Sequence, residues 1–240
     1  MAADSVSWPE MRAILRRAPL KGVSLAFPLS RPPVRFHPVQ SSNSSCLVPP
    51  PRRLNFGCGT DLRSGWVNLD VCDYGGNIVC DLNQYPWPFP DDYFDEVYAS
   101  HVLEHMGNFN RVVTELWRVC RAGARIEVRV PFFLSTKYYS EPDHRIPFGI
   151  RSFDNYEDIT GRSLRFYEKW KLGQRTNYQS PARFVVESKR FHVSNFTILR
   201  WLGKLVNFEP VVYERFFATW FTPEEVWFQL RVSKPAKTPD

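Results

Sequence analysis

Nowhere in this chain do two cysteines stand in a C-x-x-C spacing. The five cysteines, Cys46, Cys58, Cys72, Cys80 and Cys120, are odd in number and irregular in spacing. Such usage points to a reducing compartment and argues against structural disulfides or a cysteine metal centre. Long apolar runs are missing too. No stretch approaches the ~18–20 residues that span a bilayer, and clusters such as VRVPFFL are short and broken by charge or proline. A soluble, cytoplasmic protein with no membrane span is therefore expected. Acidic residues are absent from Met11 to Thr60, and this sets the first part of the chain apart from the rest.

The net charge of +6 lies in that first part. Residues 1–53 hold eight basic residues against two acidic ones, and the remainder of the 240-residue chain holds 23 of each sign. A basic domain that would grip nucleic acid is not indicated, so no nucleic-acid partner is expected. Residues 1–50 are rich in Pro, Ser and Arg, and LVPPPRR reads as a stiff linker. The composition fits a disordered tail or an organelle-targeting segment, which is likewise rich in Arg and Ser and poor in acid. No clean apolar core of ~7–15 residues marks a secretory signal.

At Leu54 the texture changes. LNFGCG, VNLDV, NIVCDL, FDEVYAS and RIEVRVP are short β-branched or aromatic runs that read as strands. FNRVVTELWRVC has helical spacing, with Val112, Leu116 and Val119 on one face beside Val113 and Cys120. This succession predicts an α/β domain with a mostly parallel sheet over residues 51–240. FVVESKRFHV, TILRWLGKLV and EVWFQLRV then read as strand, helix and strand, an antiparallel hairpin closing the sheet. Between about 132 and 182 the chain turns aromatic and charged. That stretch is expected to be a lid insertion over the sheet's carboxyl edge, with Tyr138, Tyr139, Phe148, Phe153 and Tyr156 toward an acceptor.

Asn55 to Asp61, NFGCGTD, closes the first strand with two glycines around one residue. That spacing permits a tight turn and close approach to a ligand. Asp70 closes the next strand, where a carboxylate can accept two hydrogen bonds from a ribose diol. Leu62 occupies the position of the third glycine of a dinucleotide fingerprint, which favours a nucleoside without a pyrophosphate over NAD.

LNFGCGT, NLD, CDL, PWPFPDDYFDEVYASHVLEH and RVCRAGARIEVRVP together resemble the class I S-adenosylmethionine-dependent methyltransferases, in the type 11-like branch that carries HVLEH. The resemblance is specific over roughly residues 52–131 and looser to about 232. It implies a Rossmann-like α/β fold, a mostly parallel seven-stranded sheet with an antiparallel C-terminal hairpin and helices on both faces. It implies S-adenosyl-L-methionine as cofactor. Gly57, Cys58, Gly59 and Thr60 would wrap the methionine portion, with Asn55 standing where an acidic residue is common. Asp70, followed by Val71, would hold the ribose. Asp81 and Leu82 would flank the adenine, and Ser100 and His101 would border the sulfonium end. The looser part is similar to members associated with sugar pathways, which implies a small-molecule or carbohydrate acceptor.

HVLEH also matches H-x-x-E-H, a zinc-protease signature. Zinc hydrolysis needs a third protein ligand, and Glu115 is within reach by sequence but has no motif around it. Methyl transfer from a sulfonium needs no Lewis acid, so no metal site is expected. For a hydroxyl acceptor, the candidate base is His144, with Asp143 as its orienting partner or a direct acceptor contact, and His101 is the alternative. Two other readings stay open: a non-catalytic binding module on the same fold, and an NAD-dependent enzyme. Removing residues 1–50 is expected to leave the melting temperature and cofactor affinity unchanged. A large drop in melting temperature on removal would show that the tail packs on the domain.

Overall fold

Leu54, Asn55 and Phe56 are all buried to within 2% of full burial. Such a run is what a central parallel strand requires, because both of its faces are covered. A computed structural model describes residues 52–158, 180–193 and 200–235. The tail at 1–50, the second half of the expected insertion and the start of TILRWLGKLV lie outside the described residues.

Seven strands form one sheet: β1 (Arg53–Phe56), β2 (Val67–Asp70), β3 (Ile78–Val79), β4 (Phe94–Ser100), β5 (Cys120–Pro131), β6 (Arg183–His192) and β7 (Glu225–Ser233). Their order is β3-β2-β1-β4-β5-β7-β6. The first five run parallel, and β7 is antiparallel to both β5 and β6. The Rossmann-like fold expected from the sequence is therefore present. The strand order reverses direction between β1 and β4, so the crevice outside their carboxyl ends is the topological switch point, where open α/β sheets bind ligands.

Among the described residues the α-helices are α1 (Phe109–Val119), α2 (Thr136–Tyr139), α3 (Arg200–Val206) and α4 (Pro210–Phe216). Among the described residues no helix is long and apolar enough to cross a membrane. In α1 the predicted face is realised: Val112, Val113, Leu116 and Val119 are buried. Asn108 caps the helix by accepting the Arg111 N–H, which satisfies one of the orphan donors of its first turn. The helix ends at Val119 and β5 starts at once. Arg121, Ala122 and Gly123 are exposed there, and the pairing with β4 shifts from Cys120 opposite Phe94 to Arg125 opposite Glu96. Gly123 takes φ +79 in this irregularity.

The expected aromatic lid is divided. Phe148, Phe153 and Tyr156 are at most 2% exposed, and their rings surround Phe109 of α1 at centroid distances of 5.3, 5.3 and 5.7 Å. They are core side chains. Tyr139 is 68% exposed. Composition alone does not distinguish an aromatic that seals a core from one that faces a ligand.

The proline-rich loop PWPFP before β4 lacks several backbone donors and is held by α1 instead. The Glu115 carboxylate accepts from the Trp87 N–H at 2.9 Å and from Arg118 at 2.8 and 2.9 Å. Arg118 also donates to the carbonyls of Phe89 and Trp87. Arg118→Ala should strip these acceptors and leave Glu115 without its cation, destabilising the fold by about 3 kcal/mol. Urea unfolding measures this; a loss below about 1 kcal/mol would contradict the clamp.

Candidate functional site

Gly57 and Gly59 turn the chain at the end of β1 with φ of +64 and +49, a region that disfavours residues with a Cβ. Gly57 is also held by contact. A Cβ there would lie 2.3 Å from Cγ2 of Val102. The glycine loop thus presses against the segment leaving β4, and two separated motifs share one place.

The loop is stapled from below. Asn55 is 2% exposed and its Nδ2 donates to the Asp61 carbonyl at 2.6 Å and to Asn68 Oδ1 at 3.0 Å. One bond goes to the loop and the other to β2, so both amide hydrogens are spent. Asp70, at the end of β2, accepts the Gly59 N–H through Oδ2 at 2.9 Å and the Cys72 N–H through Oδ1 at 3.1 Å. A carboxylate offers about four lone-pair sites, so Asp70 retains acceptor capacity for a further partner. Cys58 is buried, and burial first and then the charge of Asp70 push its thiol up to about 11. It is a packed thiol rather than a nucleophile. Thr60 and Val71 are exposed.

Beyond β3, the Asp81 carboxylate accepts the Asn83 N–H at 2.9 Å and the Gln84 side-chain amide at 3.3 Å. Leu82 is 4% exposed, and its carbonyl accepts the Trp87 indole N–H. Loop, Asp70, Asp81 and Leu82 follow strands that are neighbours in the sheet, so they stand along one edge.

Ser100 ends β4, and His101 follows it at φ +51, an uncommon conformation for a side chain of this size. His101 Nε2 hydrogen-bonds Glu225 Oε1 at 3.3 Å, and Nδ1 lies 3.3 Å from Glu104 Oε1. Glu104, followed by Glu225, raises this imidazole to about 9. Both carboxylates favour the protonated imidazole, and Nε2–H donates to Glu225. Burial by itself would raise the Glu225 carboxyl, yet hydrogen bonds from His101, Lys137 and Trp227 hold it well below the usual carboxylate range. Glu225 begins β7, and Lys137 reaches it from α2 at 2.6 Å. Neither residue carries a motif in the sequence, and only the fold brings them to His101.

The expected pairing of Asp143 with His144 is not what the structure shows. Asp143 Oδ2 lies 3.0 Å from His105 Nδ1. His144 is oriented by the Tyr138 carbonyl, which accepts from Nδ1 at 2.7 Å, and its Nε2 is 3.4 Å from Glu141. The His144 side chain is 3% exposed, so it does not stand open to solvent as a free base. Leu103–His105 form one 3-10 turn. The Glu104 carbonyl accepts both the Arg145 and Ile146 N–H groups, at 2.7 and 3.0 Å, which fastens the EPDH segment onto HVLEH. Glu115 is committed to Trp87 and Arg118 and plays no part here.

Residues 54–128 match the family model described as a methyltransferase domain. Many solved structures are similar at low identity, three of them as follows. A SAM-dependent methyltransferase from Archaeoglobus fulgidus is 16% identical, with 76% of this chain and 86% of that one covered and a TM-score of 0.40. An S-adenosylmethionine-dependent methyltransferase from Mesorhizobium loti is 14% identical over 75% and 90%, with a TM-score of 0.41. A putative methyltransferase from Bacillus halodurans is 14% identical over 79% and 95%, with a TM-score of 0.45. No curated protein matches this chain. The matched segment runs from β1 into β5, and over it the chain is similar to a methyltransferase domain.

Proposed function

We propose that the protein transfers the methyl group of S-adenosyl-L-methionine to a small-molecule or sugar-type acceptor, and that it does so in the cytoplasm. The carrying observation is the joint between the two halves of the site. A left-handed glycine turn, closed against Val102, is tied through the Gly59 N–H to an acid that ends the neighbouring strand. A nucleoside without phosphates needs these two features, a backbone that can be approached closely and a carboxylate for the ribose diol.

When bound, the cofactor supplies an electrophilic methyl carbon on a positively charged sulfur. The chain's own residues must bind and aim it. Gly57, Cys58, Gly59 and Thr60 line the methionine portion with backbone, and Asn55 acts through the loop it staples. Asp70 accepts from the ribose, with Val71 beside it. Asp81 accepts from the adenine amine and Leu82 supplies an apolar contact. Ser100 and His101 border the sulfonium end. Holding an acceptor atom in line with the methyl carbon is then largely a matter of proximity. His101, as a donor anchored to Glu225, positions the acceptor rather than deprotonating it. Asp143 meets the acceptor at the exposed rim. His144 serves through its place beneath that rim.

Titration calorimetry with S-adenosylhomocysteine and with NAD separates this reading from the NAD enzyme and the non-catalytic module. The first ligand should bind and the second should not, and transfer of a labelled methyl group should follow. Asp70→Ala should weaken S-adenosylhomocysteine by ~1.5–3 kcal/mol, roughly ten- to a hundredfold. Unchanged affinity in a folded variant would remove Asp70 from the ribose.

A further inference from the structure

Beyond its effect on His101, Glu104 is given no contact with the methyl donor or acceptor, yet its surroundings are unusual. Its side chain is fully buried, and neither carboxylate oxygen has a hydrogen-bond partner among the described residues. The His101 Nδ1 at 3.3 Å is an electrostatic neighbour without hydrogen-bond geometry. Burying a carboxylate is strongly unfavourable unless a proton, an ion pair with good hydrogen bonds or a metal compensates it.

Two imidazoles converge on it. One oxygen of Glu104 and one ring nitrogen each of His105 and His144 lie within 4.8 Å of one another. Ligand atoms ~2.1 Å from a common ion stand no more than ~4.2 Å apart, so small side-chain rotations complete a shell. The two rings are 4.7 Å apart and edge to face. The Glu104 carbonyl, holding Arg145 and Ile146, fixes the two segments that carry the three residues. His144 donates its Nδ1–H to the Tyr138 carbonyl, leaving Nε2 as the nitrogen with a lone pair. A histidine oriented in this way by a backbone carbonyl is the usual arrangement of a metal ligand. His105 has a second carboxylate, Asp143, 3.0 Å from its Nδ1. Glu141 Oε2 stands 3.4 Å from His144 Nε2 and 3.9 Å from His105 Nε2.

We propose that Glu104, His105 and His144 bind one first-row divalent cation of the zinc type, with the exposed Glu141 and Asp143 on its solvent side. Two imidazoles and a carboxylate suit zinc and its neighbours in the series. His144 is the third ligand that the sequence pattern lacked, and it replaces the expectation of a metal-free site. Three protein ligands leave coordination positions open. Resting on the methyltransferase reading, an open position next to HVLEH would orient an acceptor oxygen toward the end of the site bordered by His101. The acceptor class this selects is one that presents a hydroxyl or carboxylate oxygen to the ion.

The test uses tag-free, full-length protein stripped with chelator and titrated with zinc chloride, and with cobalt chloride for its visible spectrum. One equivalent should bind, with cobalt bands of nitrogen ligation. His105→Ala and His144→Ala should each weaken binding by at least the ~10–100-fold that loss of an outer-shell partner costs. Thermal melts accompany each variant. Where a variant melts early, the wild-type cobalt spectrum and stoichiometry decide. Substoichiometric binding by the wild type, or unchanged affinity in a well-folded His105→Ala/His144→Ala variant, overturns the site. S-adenosylhomocysteine is titrated into the same samples. Cofactor binding without metal sinks the cation site alone, and metal binding without cofactor sinks the methyltransferase reading alone.

Discussion

The close approach of Gly57 to Val102 governs the geometry of everything around it. A parallel sheet sets β1 and β4 side by side, but their exits diverge unless one chain yields space. Gly57 yields it, since a Cβ there would sit 2.3 Å from the Val102 side chain. From that contact the glycine loop runs toward Asp70, and HVLEH runs the other way into its 3-10 turn. Asp70 completes one arm by holding Gly59 and Cys72. The Glu104 carbonyl completes the other by holding Arg145 and Ile146. In the proposed reading a binding arm and an acceptor arm must meet, and this packing contact is where the two segments touch.

Charge is distributed unequally between the two arms. Around the glycine loop, the side-chain hydrogen bonds to backbone from Asn55 and Asp70 organise the turn. Around HVLEH, carboxylates and imidazoles crowd together: Glu104, Glu225, Glu141 and Asp143 face His101, His105 and His144. Each carboxylate there depends on a cation or a donor nearby, and Glu225 finds three, in His101, Lys137 and Trp227. Glu104, the most buried, has the His101 ring nitrogen 3.3 Å away but no hydrogen bond among the described residues. That imbalance is the physical ground for a cation at this place.

Much of the fold was legible in the residues, for identifiable reasons. β1, β2, β4 and β5 announce themselves as short runs with β-branched or aromatic residues, which in β4 and β5 alternate with charged ones, and α1 because a helix on a sheet shows one buried stripe. Val112, Val113, Leu116 and Val119 are that stripe. The glycine loop and Asp70 were legible as a pair because both follow strand ends. Contacts between distant segments were not. Asp143 next to His144 in sequence suggested a dyad, yet their side chains part, one to His105 and the other to the Tyr138 carbonyl. Phe148, Phe153 and Tyr156 looked like a lid, but Phe109 draws them into the core. Glu225 and Lys137 gave no signal, because their roles exist only once β7 and α2 are folded beside His101.

The crystal structure of the protein with S-adenosylhomocysteine tests the central claim most directly. The account predicts ribose hydroxyls within hydrogen-bonding distance of the Asp70 carboxylate, the amino-acid portion against Gly57–Thr60 and the sulfur beside Ser100 and His101. A nucleoside seated away from Asp70, or on the far side of the sheet from the Gly57–Val102 contact, would contradict it.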